Sequence, residues 1–146
     1  ATTNNSGSLS LALNNEPCIV VSDDIFLKQD LIKKIISFDG DVVLTSVNES
    51  RSNSSLNCKL DGDKVSEFYT GPIENVTDPE AIGVYKVSSE EVIKKWAKNR
   101  MKFPNLLIGE NLPSKEANIF YYDLGDNYFF EINTIYDYLR FIDENK

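Results

Sequence analysis

The chain has no histidine, one methionine and only two cysteines among 146 residues. Without histidine, a Ser-His-Asp or Cys-His nucleophilic mechanism is excluded, as is a histidine zinc site. Cys18 and Cys58 sit in separate segments without ligand-like spacing, which reads as two reduced thiols and points to a cytoplasmic setting. No apolar run approaches the ~20 residues that span a bilayer, and no secretory signal is visible. Basic residues are outnumbered: 15 Lys and Arg against 23 Asp and Glu give a formal charge of −8. That excludes nucleic acid and anionic membrane as expected partners, because both need a net basic surface. The seven glycines are scattered, and no Gly-x-Gly occurs.

Hydrophobic residues make up 41% and charged residues 26%, the balance of a globular fold. At this length the chain is one domain that buries roughly 70% of its unfolded surface. It begins at Ala1 with its one methionine at Met101, so it is expected to be an incomplete domain from which an upstream part was removed. Sequons at Asn4, Asn48, Asn53 and Asn75 are expected by chance in a chain rich in Asn and Ser.

Ser8 is placed to cap a short helix that turns Leu9, Ala12 and Leu13 inward. The run 18–22 is apolar and β-branched, which predicts a buried strand. Leu27, Leu31, Ile32, Ile35 and Ile36 then recur at helical period, predicting a helix from about Leu27 to Phe38. Asp39-Gly40 ends it, and 41–47 is a second strand. Strand, helix, strand is a βαβ unit, so the sheet is at least partly parallel with a right-handed crossover. Asp61-Gly62-Asp63 joins strands 56–60 and 64–69 as a hairpin. Residues 81–87 form a strand whose internal Gly83 implies close approach by a ligand or another backbone. Ser88 and Glu91 form a capping-box pattern for a helix through about Arg100, burying Val92, Ile93, Trp96 and Ala97. A short helix is expected from Pro104. Strands 119–124 and 128–132 flank Gly125-Asp126-Asn127. Thr134 caps a last helix, with Asp137 at its third position and Ile135, Leu139 and Ile142 inward.

Two junctions carry chemistry. Val20-Val21-Ser22-Asp23-Asp24 is a strand that breaks into adjacent carboxylates, at the rim where open α/β sheets bind ligands. Turn formation explains such acids as readily as metal binding does. In the binding reading Asp23 faces the rim cleft and ligates Mg²⁺ while Asp24 turns the chain. Mg²⁺ takes one or two carboxylates plus waters and substrate phosphates, so no full protein cage is needed. Glu131-Ile132-Asn133-Thr134 is the second junction; Glu131 and Asn133 alternate along a strand end and share a face beside a helix N-terminus.

In order along the chain, these segments resemble the nucleotidyltransferases that couple an NTP to a sugar phosphate, phosphocholine or a similar phospho-alcohol. The matching stretches are Ser8-Leu9-Ser10-Leu11-Ala12-Leu13, Ser22-Asp23 after its strand, Gly83-Val84-Tyr85, and Glu131-Ile132-Asn133-Thr134 with Asp137. The family's Gly-rich nucleotide-binding loop has no counterpart, so the resemblance is to its C-terminal two-thirds. It implies a three-layer, Rossmann-like (GT-A-like) fold: a mixed, mostly parallel sheet with flanking helices and its N-terminal part missing. It further implies Asp23 and Asn133 as metal ligands for Mg²⁺, Asp23 as the catalytic carboxylate, and Gly83, Tyr85 and Glu131 at the substrate. Asn133 stands where the family more often has Asp. The ligands implied are an NTP and a phosphorylated small-molecule acceptor, with pyrophosphate released and little turnover from a truncated chain. Two other readings fit the residues: a noncatalytic α/β module that binds a partner or regulates, and a metal-dependent glycosyltransferase. Loss of an upstream strand would leave an apolar edge near 18–22, to be covered by the missing segment, a partner or another copy in a homo-oligomer.

Overall fold

In the computed structural model, residues 9, 13–47, 54–125, 129–132 and 134–145 are described. β1 (Cys18–Val21) leads through a turn to β2 (Ile25–Leu27), α1 (Gln29–Ser37) and β3 (Asp41–Ser46). β4 (Leu56–Asp61) and β5 (Lys64–Thr70) form the expected hairpin, and β6 (Glu80–Val87) runs into α2 (Glu90–Lys102). A 3₁₀ turn at Gly109–Asn111 precedes β7 (Ile119–Asp123), β8 (Phe129–Glu131) and α3 (Ile135–Glu144).

The main sheet has the order β1-β6-β3-β7-β5-β4. β1 and β3 each pair antiparallel with β6, so they run parallel to one another with β6 between them. The expected βαβ unit is therefore present, but it skips a strand. β7 pairs parallel with β3, and β5 is antiparallel to both β7 and β4. Hence β1, β3, β7 and β4 share one direction while β5 and β6 oppose it, although only one neighbouring pair is parallel. This is the mixed sheet the sequence implied.

A helix covers each face. On one side α2 contributes Val92, Ile93 and Trp96 to a core with Val43, Tyr85, Val87 and Ile119. On the other, Leu31 and Ile35 of α1 pack on Val42, Leu44, Ile82 and Val84. The alternation of β3, with Val42 and Leu44 on one face and Val43 on the other, accounts for both layers. Lys86 ties α1 to the sheet by donating to the carbonyls of Ile36 and Phe38, which the end of the helix leaves free.

Four local expectations are corrected. The helix begins at Gln29, not Leu27, because Ile25–Leu27 pair with Phe129–Glu131 as a separate two-stranded sheet. Ser89, not Ser88, caps α2 by accepting from the Val92 amide, since the Ser88 and Ser89 amides both donate to Asp41 Oδ1. In α3, Ile135 and Leu139 are exposed, and the helix instead docks through Phe141 against the rings of Phe26 and Phe130. Residues 109–111 form only a 3₁₀ turn where a helix from Pro104 was expected. Leu9 is buried in the α2-side core as expected, and Leu13 donates its amide to the Leu9 carbonyl; Ser8 and Ala12 lie outside the described residues.

Candidate functional site

The first junction is shaped by Gly83. The pairing of β3 with β6 slips between Val43–Tyr85 and Thr45–Ala81, so the stretch around Gly83 bulges. Gly83 has φ +79° and accepts the Ser22 amide on its carbonyl at 2.9 Å. A Cβ there would collide with Ser22 Oγ and come within 3.1 Å of Ile25 Cδ1. The close approach that Gly83 announces is that of the β1–β2 turn. Gly83 thereby sets where Asp23 and Asp24 leave the sheet.

The second junction is brought to the same place by β2 and β8. Ile25 lies opposite Glu131, and the Ile132 amide donates to the Asp24 carbonyl at 2.8 Å. Asp23, Asp24 and Glu131 thus gather at one corner, at the carboxyl end of β1. Asn133 is next in sequence but lies outside the described residues. The chain then enters α3 through a reciprocal cap: Thr134 Oγ1 accepts from the Asp137 amide, and Asp137 Oδ2 accepts from the Thr134 amide. That cap fixes the direction in which residues 131–134 leave the corner.

The two aspartates differ in environment. Asp23 is exposed, whereas Asp24 is half-buried and its Oδ1 is shielded from solvent without a hydrogen-bond partner among the described residues. A shielded carboxylate oxygen without a donor is costly unless a cation or a bridging water completes it. Sequence reasoning gave Asp24 only the turn. The signal for more was its place directly before Ile25, an apolar residue that draws the backbone inward. Among the described residues no group of three or more His, Cys, Asp and Glu side chains is arranged as a metal cage. One or two carboxylates at a corner open to phosphate oxygens still match the ligand demand of Mg²⁺.

Tyr85 sits elsewhere. It is 4% exposed, its ring meets Trp96 with centroids 5.8 Å apart, and burial pushes its phenol pKa well above the ordinary range. Gly109 lies against the Tyr85 hydroxyl and Leu56, where a Cβ has no room. Beneath it, Arg100 is 1% exposed and donates through Nη1 to the carbonyls of Leu106 (2.7 Å) and Leu107 (3.3 Å). Burial lowers its pKa, partly offset by Glu110. Nothing in the sequence marked Gly109, which lies in the irregular loop 103–112; Arg100 falls on the Ile93–Trp96 face of α2, but a basic residue in the last turn of a helix ordinarily reads as solvated.

No family model and no curated sequence matches the chain. Solved structures do. A CTP:phosphocholine cytidylyltransferase from Streptococcus pneumoniae superposes with a TM-score of 0.77 at 18% identity, over 99% of this chain and 64% of its own. An inositol-1-phosphate CTP transferase from T. maritima gives 0.69 at 14% identity, over 92% of this chain and 58% of its own. A UTP-bound UGPase from Acinetobacter baumannii gives 0.70 at 9% identity, over 99% and 57%. The structural neighbours are nucleotidyltransferases, and at these identities the likeness is one of fold. The chain spans about three-fifths of their length.

Proposed function

We propose that this chain carries the metal corner and acceptor side of a nucleotidyltransferase that moves a nucleoside monophosphate from an NTP to a phosphorylated small molecule. The observation that supports this reading is the bond between Ile132 and Asp24, which joins the two acidic junctions at one rim of a nucleotidyltransferase-like sheet. Asp23 and Asn133 would hold Mg²⁺, with the shielded Oδ1 of Asp24 a further ligand and Glu131 in support. When bound, the ion would neutralise charge on the α-phosphate and the acceptor phosphate.

An acceptor phosphate oxygen attacks the α-phosphorus in line; the new O–P bond forms as the bond to the β-phosphate breaks and pyrophosphate leaves. This chain's residues contribute placement. Gly83 seats the turn that presents Asp23 and Asp24, and the Thr134–Asp137 cap holds the partner strand's end. Positioning and charge neutralisation carry such reactions, with no covalent step assigned to the protein. Acids at the rim also require the cation, since like charges would otherwise repel both phosphates.

The test is pyrophosphate release from CTP, UTP or dTTP with phosphocholine, inositol-1-phosphate or glucose-1-phosphate, with and without Mg²⁺. Mg²⁺-dependent release with one acceptor, lost in Asp23→Ala or Asp24→Asn, supports the reading. Release unchanged in both variants overturns it.

A further inference from the structure

We infer that α3 is a latch on the acidic corner, with Phe141 as the residue that positions Asp24 and Glu131; its use in holding a cation rests on the proposed function. β2 and β8 are three residues each, and a two-stranded ribbon of that length is marginal in water unless something packs on it. One face of the ribbon is fixed to the body, because Ile25 and Leu27 pack against the α1-side core. Phe26 and Phe130 stand directly opposite one another in the ladder, so both rings project to the other face. Phe141 spans the pair, its ring centroid 4.8 Å from that of Phe26 and 5.5 Å from that of Phe130. The Arg140 guanidinium lies over Phe130 as well, 4.6 Å from the ring centre.

This aromatic contact reaches the corner through short stretches of backbone. Phe26 lies two residues after Asp24, and Phe130 immediately precedes Glu131. Phe130 also lies two residues before Ile132, whose amide holds the Asp24 carbonyl. At the helix end, the reciprocal Thr134–Asp137 cap makes residue 134 move with α3. One ring therefore clamps the two strands that carry the acidic junctions. Without a cation, like charges on Asp23, Asp24 and Glu131 oppose that clamp.

The latch is lightly held. None of residues 135–144 is buried, and Tyr136 and Leu139, on the side away from Phe141, stand exposed. Neither core layer includes a residue of α3. Undocking therefore gives up little beyond the aromatic cluster, which places α3 at the low-stability end of the fold. Docking and cation binding should each favour the other, as coupled equilibria do, and the apparent Mg²⁺ affinity should fall in proportion to the docked fraction.

Amide hydrogen exchange in EDTA tests the latch independently of any activity. Phe141→Ala should speed exchange of the Ile132 amide about 10- to 100-fold and leave the β3 amides unchanged, with Phe141→Leu giving a smaller increase. Leu139→Ala, on the outer side of α3, should leave Ile132 as in the native chain. Unchanged exchange at Ile132 in Phe141→Ala overturns the inference. So does equal acceleration at Ile132 and β3 in both Phe141 variants, which would make α3 part of the common core. Added Mg²⁺ should slow the Ile132 and α3 amides of the native chain, and the concentration for half effect should rise about tenfold in Phe141→Ala. A half-effect concentration that the variant leaves unchanged overturns the coupling. Mg²⁺ without effect on a native chain, while Phe141→Ala still releases Ile132, removes the metal reading and leaves the latch standing.

Discussion

The Ile132 amide rests 2.8 Å from the Asp24 carbonyl oxygen, and through that bond residues from opposite ends of the chain share one corner of the sheet. Sequence separation is large, so the corner exists only when β2 and β8 have paired. The consequences for substitution are specific.

Asp24→Asn separates metal binding from stability. Among the described residues the shielded Oδ1 has no donor, so removing its charge should raise the thermal midpoint in EDTA by a few degrees. On the proposed reading, added Mg²⁺ should stabilise the native chain and leave this variant's midpoint unchanged. Differential scanning calorimetry with EDTA and with Mg²⁺ reads both effects.

Gly83→Ala should cost about 1–3 kcal/mol from the left-handed backbone alone, with the collision at Ser22 adding to it. Urea unfolding checks the loss. Gly62→Ala, at a positive φ but with open space around it, should show only the backbone part.

Thr134→Ala removes the acceptor for the Asp137 amide and should cost about 1 kcal/mol. Because α3 docks chiefly through Phe141 on Phe26 and Phe130, the loss should appear as faster exchange of the α3 amides before any global unfolding.

Tyr85 contributes to the alkaline limit. Its folded pKa is raised by burial above the ordinary 10.0, so the folded state retains a proton that the unfolded state releases. Its contribution is full below pH 10 and is lost as pH rises beyond it, by up to about 1.4 kcal/mol per unit. Tyr85→Phe should move the alkaline unfolding midpoint upward, followed by tryptophan fluorescence of Trp96.

Arg100→Ala should cost about 2–5 kcal/mol, since it empties a fully buried site and strips the Leu106 and Leu107 carbonyls of their donor. Urea unfolding measures it.

The sequence showed the layers because they follow from period. The Val-rich runs of β1 and β3 and the spacing of Leu31 and Ile35 each specify an element and its buried face. It hid β2, because three residues between a turn and a helix carry no period; only pairing with Phe129–Glu131 makes Ile25–Leu27 a strand. The expectation that Ile135 and Leu139 face inward failed for a similar reason. Ile135 and Leu139 lie on as regular an apolar stripe as the face carrying Phe141, and the choice was made by Phe26 and Phe130. The corner itself was legible as two acidic strand ends. The different burial of Asp23 and Asp24 was not, since it depends on where Gly83 lets the turn settle.

The β2–β8 pairing also orders events during synthesis. Every strand of the six-stranded sheet precedes Phe129 in the sequence, so it is synthesised before the β2–β8 pairing that forms the acidic corner is possible. A chain ending at Leu124 would contain all six strands of the main sheet but neither Glu131 nor the partner strand of β2, so the two acidic junctions could not meet.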